Sequence, residues 1–417
     1  MENRKNNFWK GAAAGAIAAS LVLCCLGVLA AGVLAANLSK RQSQQSQIQG
    51  QSKTADGLNV FSEDINNKMA VIQELINAYY YFDIDEQKVA DGLYTGLMYG
   101  LDDPYSVYYN EKDYTSMMET TTGRYCGIGV MVSQNIKTGI ITVVRPFKNG
   151  PGYEAGILEG DIIYAIDGEE VSGKDINLVV ADIKGEEGSP VTVTVYREAT
   201  NEYLDLKMNR RMVESETVTY NMLTDNIGYI ELTEFDDVTY NQFMEAVGAL
   251  KSQGMEKLVM DLRGNPGGNL DSVTSILDEI LPEGLLISIV DKDGKGEKYY
   301  SDDEKQLDMP LAVLVNGNSA SASEVFAGAV QDYEWGTIVG TQSYGKGIVQ
   351  SVIPLGDGTG VKITIAKYLT PNGRDIHTIG ITPDVVVELD EKLAGTKYTQ
   401  DEDNQLQEAV KVLEEQE

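Results

Sequence analysis

From about residue 213 onward, short apolar runs alternate with stretches of helical length, and this alternation restricts the fold more than any other feature of the chain. Ile227–Leu232, Leu258–Leu262 and Leu311–Val315 read as strands, with helices near 238–252, 270–281 and 323–332 between and after them. Strands joined through helices form βαβ units and a largely parallel sheet. A further strand is expected at 337–340.

The texture before residue 213 is different. Between 122 and 212 the runs Gly127–Val132, Gly139–Val144, Asp161–Gly168 and Val191–Val195 are rich in β-branched residues and punctuated by glycine. They indicate a small β-rich domain, with one helix expected from Asp175 to Ile183. Upstream, Met69, Ile72, Leu75 and Ile76 recur at helical spacing, and Leu101-Asp102-Asp103-Pro104-Tyr105-Ser106 interrupts that region as a turn. Residues 42–57 are Gln- and Ser-rich without apolar periodicity and read as a flexible tether. With 417 residues the chain is too long for one ordinary domain. The expected fold is multidomain, α+β and α/β, divided as follows: a tip and anchor at 1–41, a linker at 42–58, a helical region at 59–121, the β-rich domain at 122–212, the α/β core at 213–390, and an acidic tail or helix at 391–417.

Gly11–Ala36 is uncharged over 26 residues and flanked by Arg4, Lys5 and Lys10 before it and by Lys40 and Arg41 after it. About 20 apolar residues cross a bilayer as a helix, and basic residues ahead of the span favour a cytoplasmic N-terminus. The expectation is a single-pass anchor at a bacterial cell membrane with an extracytoplasmic body, Gram-positive in particular. The Ala-rich stretch near 30–36 leaves cleavage as a signal peptide open. The net charge of −31 argues against nucleic acid as a partner. Two of three cysteines lie in the span, so Cys126 alone remains in the body, and one histidine and one cysteine cannot assemble a zinc site. No metal or cofactor is expected.

Asn316-Gly317-Asn318-Ser319-Ala320-Ser321-Ala322-Ser323-Glu324 follows a strand and opens a helix. A serine there would sit where free N–H groups and the helix dipole favour negative charge, which suits a nucleophile that generates an oxyanion. Ser321-x-x-Glu324 is equally the pattern of a capping box. Arg263-Gly264-Asn265-Pro266-Gly267-Gly268 after a strand can form an anion-binding nest or an ordinary turn. Lys346, between Gly345 and Gly347, is either a solvated surface lysine or a base that burial keeps neutral. The histidine-based alternative has only His377 to draw on.

These stretches together resemble the carboxy-terminal processing peptidase family. The resemblance covers about 65–388 and includes LDDPYS at 101–106, DLRGNPGG at 261–268, SASASE at 319–324, YGKGIVQ at 344–350 and YLTPNGRDIHTIGITPD at 368–384. It implies a ClpP/crotonase-like peptidase core with an inserted PDZ domain. It also implies Ser321 as nucleophile, Lys346 as general base, Gln350 as the residue orienting that lysine, and the N–H groups of Ala322 and Gly267 as the oxyanion hole. Tyr125, Cys126, Gly127, Ile128 and Gly129 resemble a PDZ carboxylate-binding loop that would grip the C-terminus of a protein or peptide substrate. Pairing of two copies into a homodimer through the helical ends stays open. The rival reading, a non-catalytic PDZ adaptor at the cell surface, has no need of Ser321, Lys346 and Gln350 together.

Overall fold

The computed structural model describes residues 58–135, 138–302, 304, 307–393, 395–396 and 398–415. The expected span at 11–36 and most of the expected tether lie outside the described residues. Among those described, no helix is long and apolar enough to cross a membrane.

The chain forms two compact units, one ending at Ile84 and one beginning at Asp85. In the first, the helix Glu63–Tyr79 forms at the expected periodicity. Its apolar positions Ile72 and Leu75 are nonetheless exposed, at 44% and 52%.

The core of the second unit is a six-stranded sheet in the order Val218–Met222, Ile227–Leu232, Lys257–Asp261, Leu311–Val315, Thr337–Gly340, Val385–Val386. Every pairing is parallel except that of the first strand. Successive side chains point to opposite faces, and both faces are covered. Ile230, Met260, Val313 and Ile338 pack under the helices Thr239–Ser252, Leu270–Asp278 and Ala322–Asp332. Tyr229, Val259, Ala312, Leu314 and Val339 pack on the other face against Leu406, Ala409 and Leu413 of the helix Asn404–Glu415. Burying each such aliphatic side chain stabilises the fold by roughly 1.5–3 kcal/mol. The segment read as an acidic tail or helix is therefore, in its last part, one of the layers that cover the sheet.

A second sheet was not expected. Gly360–Leu369 pairs antiparallel with Val107–Tyr109, Gly284–Asp291 and Ile348–Pro354, and Lys298–Ser301 extends the sheet from Gly284–Asp291.

Between Val107–Tyr109 and the core lies the β-rich portion. Val130–Gln134, Ile141–Pro146, Ile162–Ile166, Pro190–Arg197 and Glu202–Asn209 form one antiparallel sheet around Ile128, Val143, Ile163 and Val193. The expected helix forms as Ile176–Ile183, capped by Asp175, whose carboxylate accepts the Asn177 N–H. The chain enters and leaves this portion through one ribbon, Arg124–Gly127 paired with Arg211–Glu214. At its foot the Ser215 N–H donates to the Gly123 carbonyl at 2.8 Å.

Candidate active site

The Leu311–Val315 strand is buried at every position and delivers the chain into the serine-rich turn. There the three serines separate by role. Ser319 Oγ donates to the Leu262 carbonyl at 2.7 Å and accepts the Asn316 N–H at 2.9 Å. Ser323 Oγ donates to the Asn265 carbonyl at 3.0 Å. Both side chains are fully buried and fasten the turn to the neighbouring loop. Ser321 sits at φ 55°, ψ −114°, immediately before the helix Ala322–Asp332. A non-glycine residue held in such a region carries roughly 1–3 kcal/mol of strain. The S-x-x-E arrangement is that of a capping box, with the Ser321 side chain toward the Glu324 backbone and the Glu324 side chain toward the Ser321 backbone. The Glu324 N–H also donates to the Ser321 carbonyl at 2.8 Å.

Glu324 is more than a cap. Its fully buried carboxylate accepts four hydrogen bonds: from the Ser321 N–H at 2.9 Å, the Ser343 hydroxyl at 2.5 Å, the Gly345 N–H at 2.6 Å and the Lys346 N–H at 2.8 Å. Tyr368 makes a second bridge, its hydroxyl donating to the carbonyls of Ser321 at 3.0 Å and Lys346 at 2.8 Å. Burial raises the Tyr368 phenol well above its ordinary range, so it remains a donor. Two buried side chains thus fix the backbone of Ser321 relative to that of Lys346. Neither role was anticipated; the only sequence signal was the S-x-x-E spacing and a tyrosine inside a longer motif.

The glycines around Lys346 have a steric cause. Gly345 has φ +90°, and a Cβ on Gly347 would stand 2.6 Å from the His377 nitrogen. His377 supplies backbone to pack against, and its Nδ1 is buried without a hydrogen-bond partner. The Lys346 ammonium lies 4.8 Å from the centroid of the Tyr105 ring. Its pKa is lowered by burial first and by the nearby Lys362 second, with Glu324 and Asp103 opposing the shift. No hydrogen bond joins it to the Ser321 hydroxyl. The expected link from Gln350 is also absent. Its amide donates to Thr364 Oγ1 at 3.4 Å, and a register shift between Val349 and Gln350 turns that strand at this point.

Ser321, Ala322, Lys346, Gln350 and Gly268 line one cavity of about 1370 Å³. Ala322 is the first helical residue, whose N–H has no intrahelical acceptor. Gly267 departs from expectation. It approaches Ser321 so closely that a Cβ would lie 2.7 Å from the Ser321 Cβ, but its N–H donates to Asn265 Oδ1 at 2.8 Å. The next glycine, Gly268, is the one that lines the cavity.

A second, smaller cavity of about 220 Å³ lies between the Val130–Gln134 strand and the Ile176–Ile183 helix. Tyr125, Ile128 and Gly129 line it, and Gly127 lies under the Tyr125 ring. Cys126 does not line it. It pairs with Met212 across the ribbon, and adjacent strand residues face opposite ways. Thr120, Glu234 and Asp236 line both cavities, so the two share a wall.

The chain is similar to known proteins over most of its length. The sequence model of peptidase family S41 matches residues 226–387, that of a PDZ domain residues 142–197, and that of the activating protease CtpB N-terminal domain residues 22–113. A carboxy-terminal-processing protease of Bartonella bacilliformis is 38% identical over 325 residues, covering 76% of this chain and 74% of that protein. The carboxy-terminal processing protease CtpB of Bacillus subtilis is 35% identical over 325 residues, covering 77% and 67%. The solved structure of a photosystem II D1 C-terminal processing protease aligns at 30% identity and a TM-score of 0.45, covering 76% of this chain and 86% of that one.

Proposed function

The chain belongs to the carboxy-terminal processing protease family of S41 serine peptidases, and from that premise we propose that Ser321 is its nucleophile and Lys346 its general base. The observation that carries this reading is the pairing of a strained serine at a helix N-terminus with a lysine whose pKa burial lowers, both on one cavity and cross-linked by Glu324 and Tyr368.

The neutral Lys346 amine leaves the Tyr105 face and takes the Ser321 hydroxyl proton as Oγ attacks the scissile carbonyl. Such catalytic contacts tighten when substrate is bound. The developing oxyanion is held by the Ala322 N–H at the positive end of the helix, with Gly268 in place of Gly267 as the second donor. Lys346 then gives the proton to the leaving amine, and water hydrolyses the acyl-enzyme. Gln350 lines the substrate channel.

The smaller groove takes substrate C-termini as added strands, and its shared wall leads the chain toward Ser321. The reading is an endopeptidase, on an exported body that residues 11–36 would anchor in the membrane. Support comes from the PDZ match and from the basic flanks of the span.

The test is turnover of an unstructured protein substrate by purified wild type, Ser321→Ala and Lys346→Ala, with melting curves alongside. Loss of cleavage in both folded variants is expected. Retained cleavage in either removes that residue from its role.

A further inference from the structure

The smaller groove has one cationic side chain among its lining residues, Lys184, set among three carboxyl groups, Glu119, Glu234 and Asp236. Lys184 is the residue immediately after the Ile176–Ile183 helix. Its position is fixed from behind. Buried Arg210 donates to the carbonyls of Ile183 at 2.9 Å and Asp182 at 2.7 Å, closing the end of that helix. The Lys184 ammonium lies 4.8 Å from the centroid of the Tyr125 ring and pairs with Glu119 at 2.6 Å, both partners being about 30% exposed. The Tyr125 ring in turn covers Gly127, where a Cβ would come within 2.9 Å of it. The Tyr125 ring therefore touches both the groove's one lysine and Gly127 of the stretch that resembles a carboxylate-binding loop.

We propose that Lys184 is the cation to which a substrate's C-terminal carboxylate docks, in direct competition with Glu119. A terminal carboxylate entering this groove meets repulsion from Glu119, and Lys184 is the one cationic side chain in the lining to attract it. Docking exchanges one lysine–carboxylate pair for another, so Glu119 lowers the affinity for every free C-terminus and the groove discriminates by the side chains that follow. The inference rests on the reading of this groove as a site for C-termini, and it does not depend on Ser321 being the nucleophile.

The test is fluorescence anisotropy with labelled octapeptides ending in Ala, Val or Leu, each as free acid and as C-terminal amide, on Ser321→Ala protein so that nothing is cleaved. At least one free acid is expected to bind about tenfold more tightly than its amide, and Lys184→Met to erase that difference. Glu119→Gln, a near-isosteric change at a partly exposed site, is expected to tighten the free acid about fivefold and leave the amide unchanged. An acid-over-amide preference that survives Lys184→Met overturns the proposal. So does a Glu119→Gln protein with unaltered affinity for the acid, or with no affinity for any of the peptides.

Discussion

Glu324 and Lys346 are hydrogen-bonded through the backbone: the Lys346 N–H, not its ammonium, donates to Glu324 Oε2 at 2.8 Å. The same carboxylate oxygen holds the Ser321 N–H at 2.9 Å, so one buried group sets the distance between two residues far apart in sequence.

Replacing Glu324 with Ala orphans four donors at once, each buried donor costing about 1–3 kcal/mol when left unmet. Glu324→Ala should lower the melting temperature and reduce kcat by at least about 100-fold, the order lost when positioning fails by an ångström. Glu324→Gln keeps the shape but loses acceptor capacity, and should fall between. Steady-state kinetics beside calorimetry will check both.

The base proposed here, Lys346, would act only when neutral, so activity should rise with pH along a limb whose midpoint lies below the ordinary lysine value of 10.5. Lys362 is one of the causes of that depression. Lys362→Met removes a positive neighbour, raises the Lys346 pKa and moves the rising limb to higher pH. Activity at pH 7 should then drop several-fold while activity at pH 10 stays near wild type. A pH–kcat/KM profile that does not move would separate Lys362 from the base.

Asp236 makes stability itself depend on pH. Burial, with help from Glu234 and Asp237, pushes its carboxyl up to about 7 from an ordinary 3.8. An acid with a raised folded pKa favours the fold when protonated. Its contribution is complete below the unfolded value and is lost as pH rises toward about 7. Asp236→Asn should therefore gain stability over wild type at pH 8 and little at pH 4, measured as the urea midpoint at each pH.

Arg263 joins the glycine turn to the C-terminal segment. Its guanidinium pairs with Asp261 at 2.6 Å and Asp403 at 2.7 Å, and it also donates to Gln405 at 3.0 Å. Arg263→Leu leaves two buried carboxylates without a cation, which should cost about 3–5 kcal/mol. Adding Asp261→Asn and Asp403→Asn to that variant should recover much of the loss. Denaturant titration of the single and triple variants decides the matter.

The parallel core was legible because its strands are apolar on both faces; all five residues of Leu311–Val315 are buried. The second sheet was not, since its members are half-buried and Val107 finds its partner Lys362 some 250 residues away. Ser321 and Lys346 stood out by motif and by the scarcity of histidine. The turn of the Gly267 N–H toward the Asn265 side chain is an Asx-turn, the ordinary-turn alternative that Asn265-Pro266-Gly267 offered beside the nest. Cys126 is assigned to the groove as part of the stretch that resembles a carboxylate-binding loop, but one step along a strand reverses the face.

The Gly123–Ser215 hydrogen bond has a consequence for how such an enzyme can be rebuilt. The β-rich portion is attached at two places in sequence but at one place in space. Its two ends are already as close as consecutive residues of a hairpin. A splice from Gly123 to Ser215 would need little change of backbone path, at the cost of contacts such as the Lys184–Glu119 pair, and a different module with adjacent termini could be grafted there. The peptidase carries its PDZ portion as a cassette.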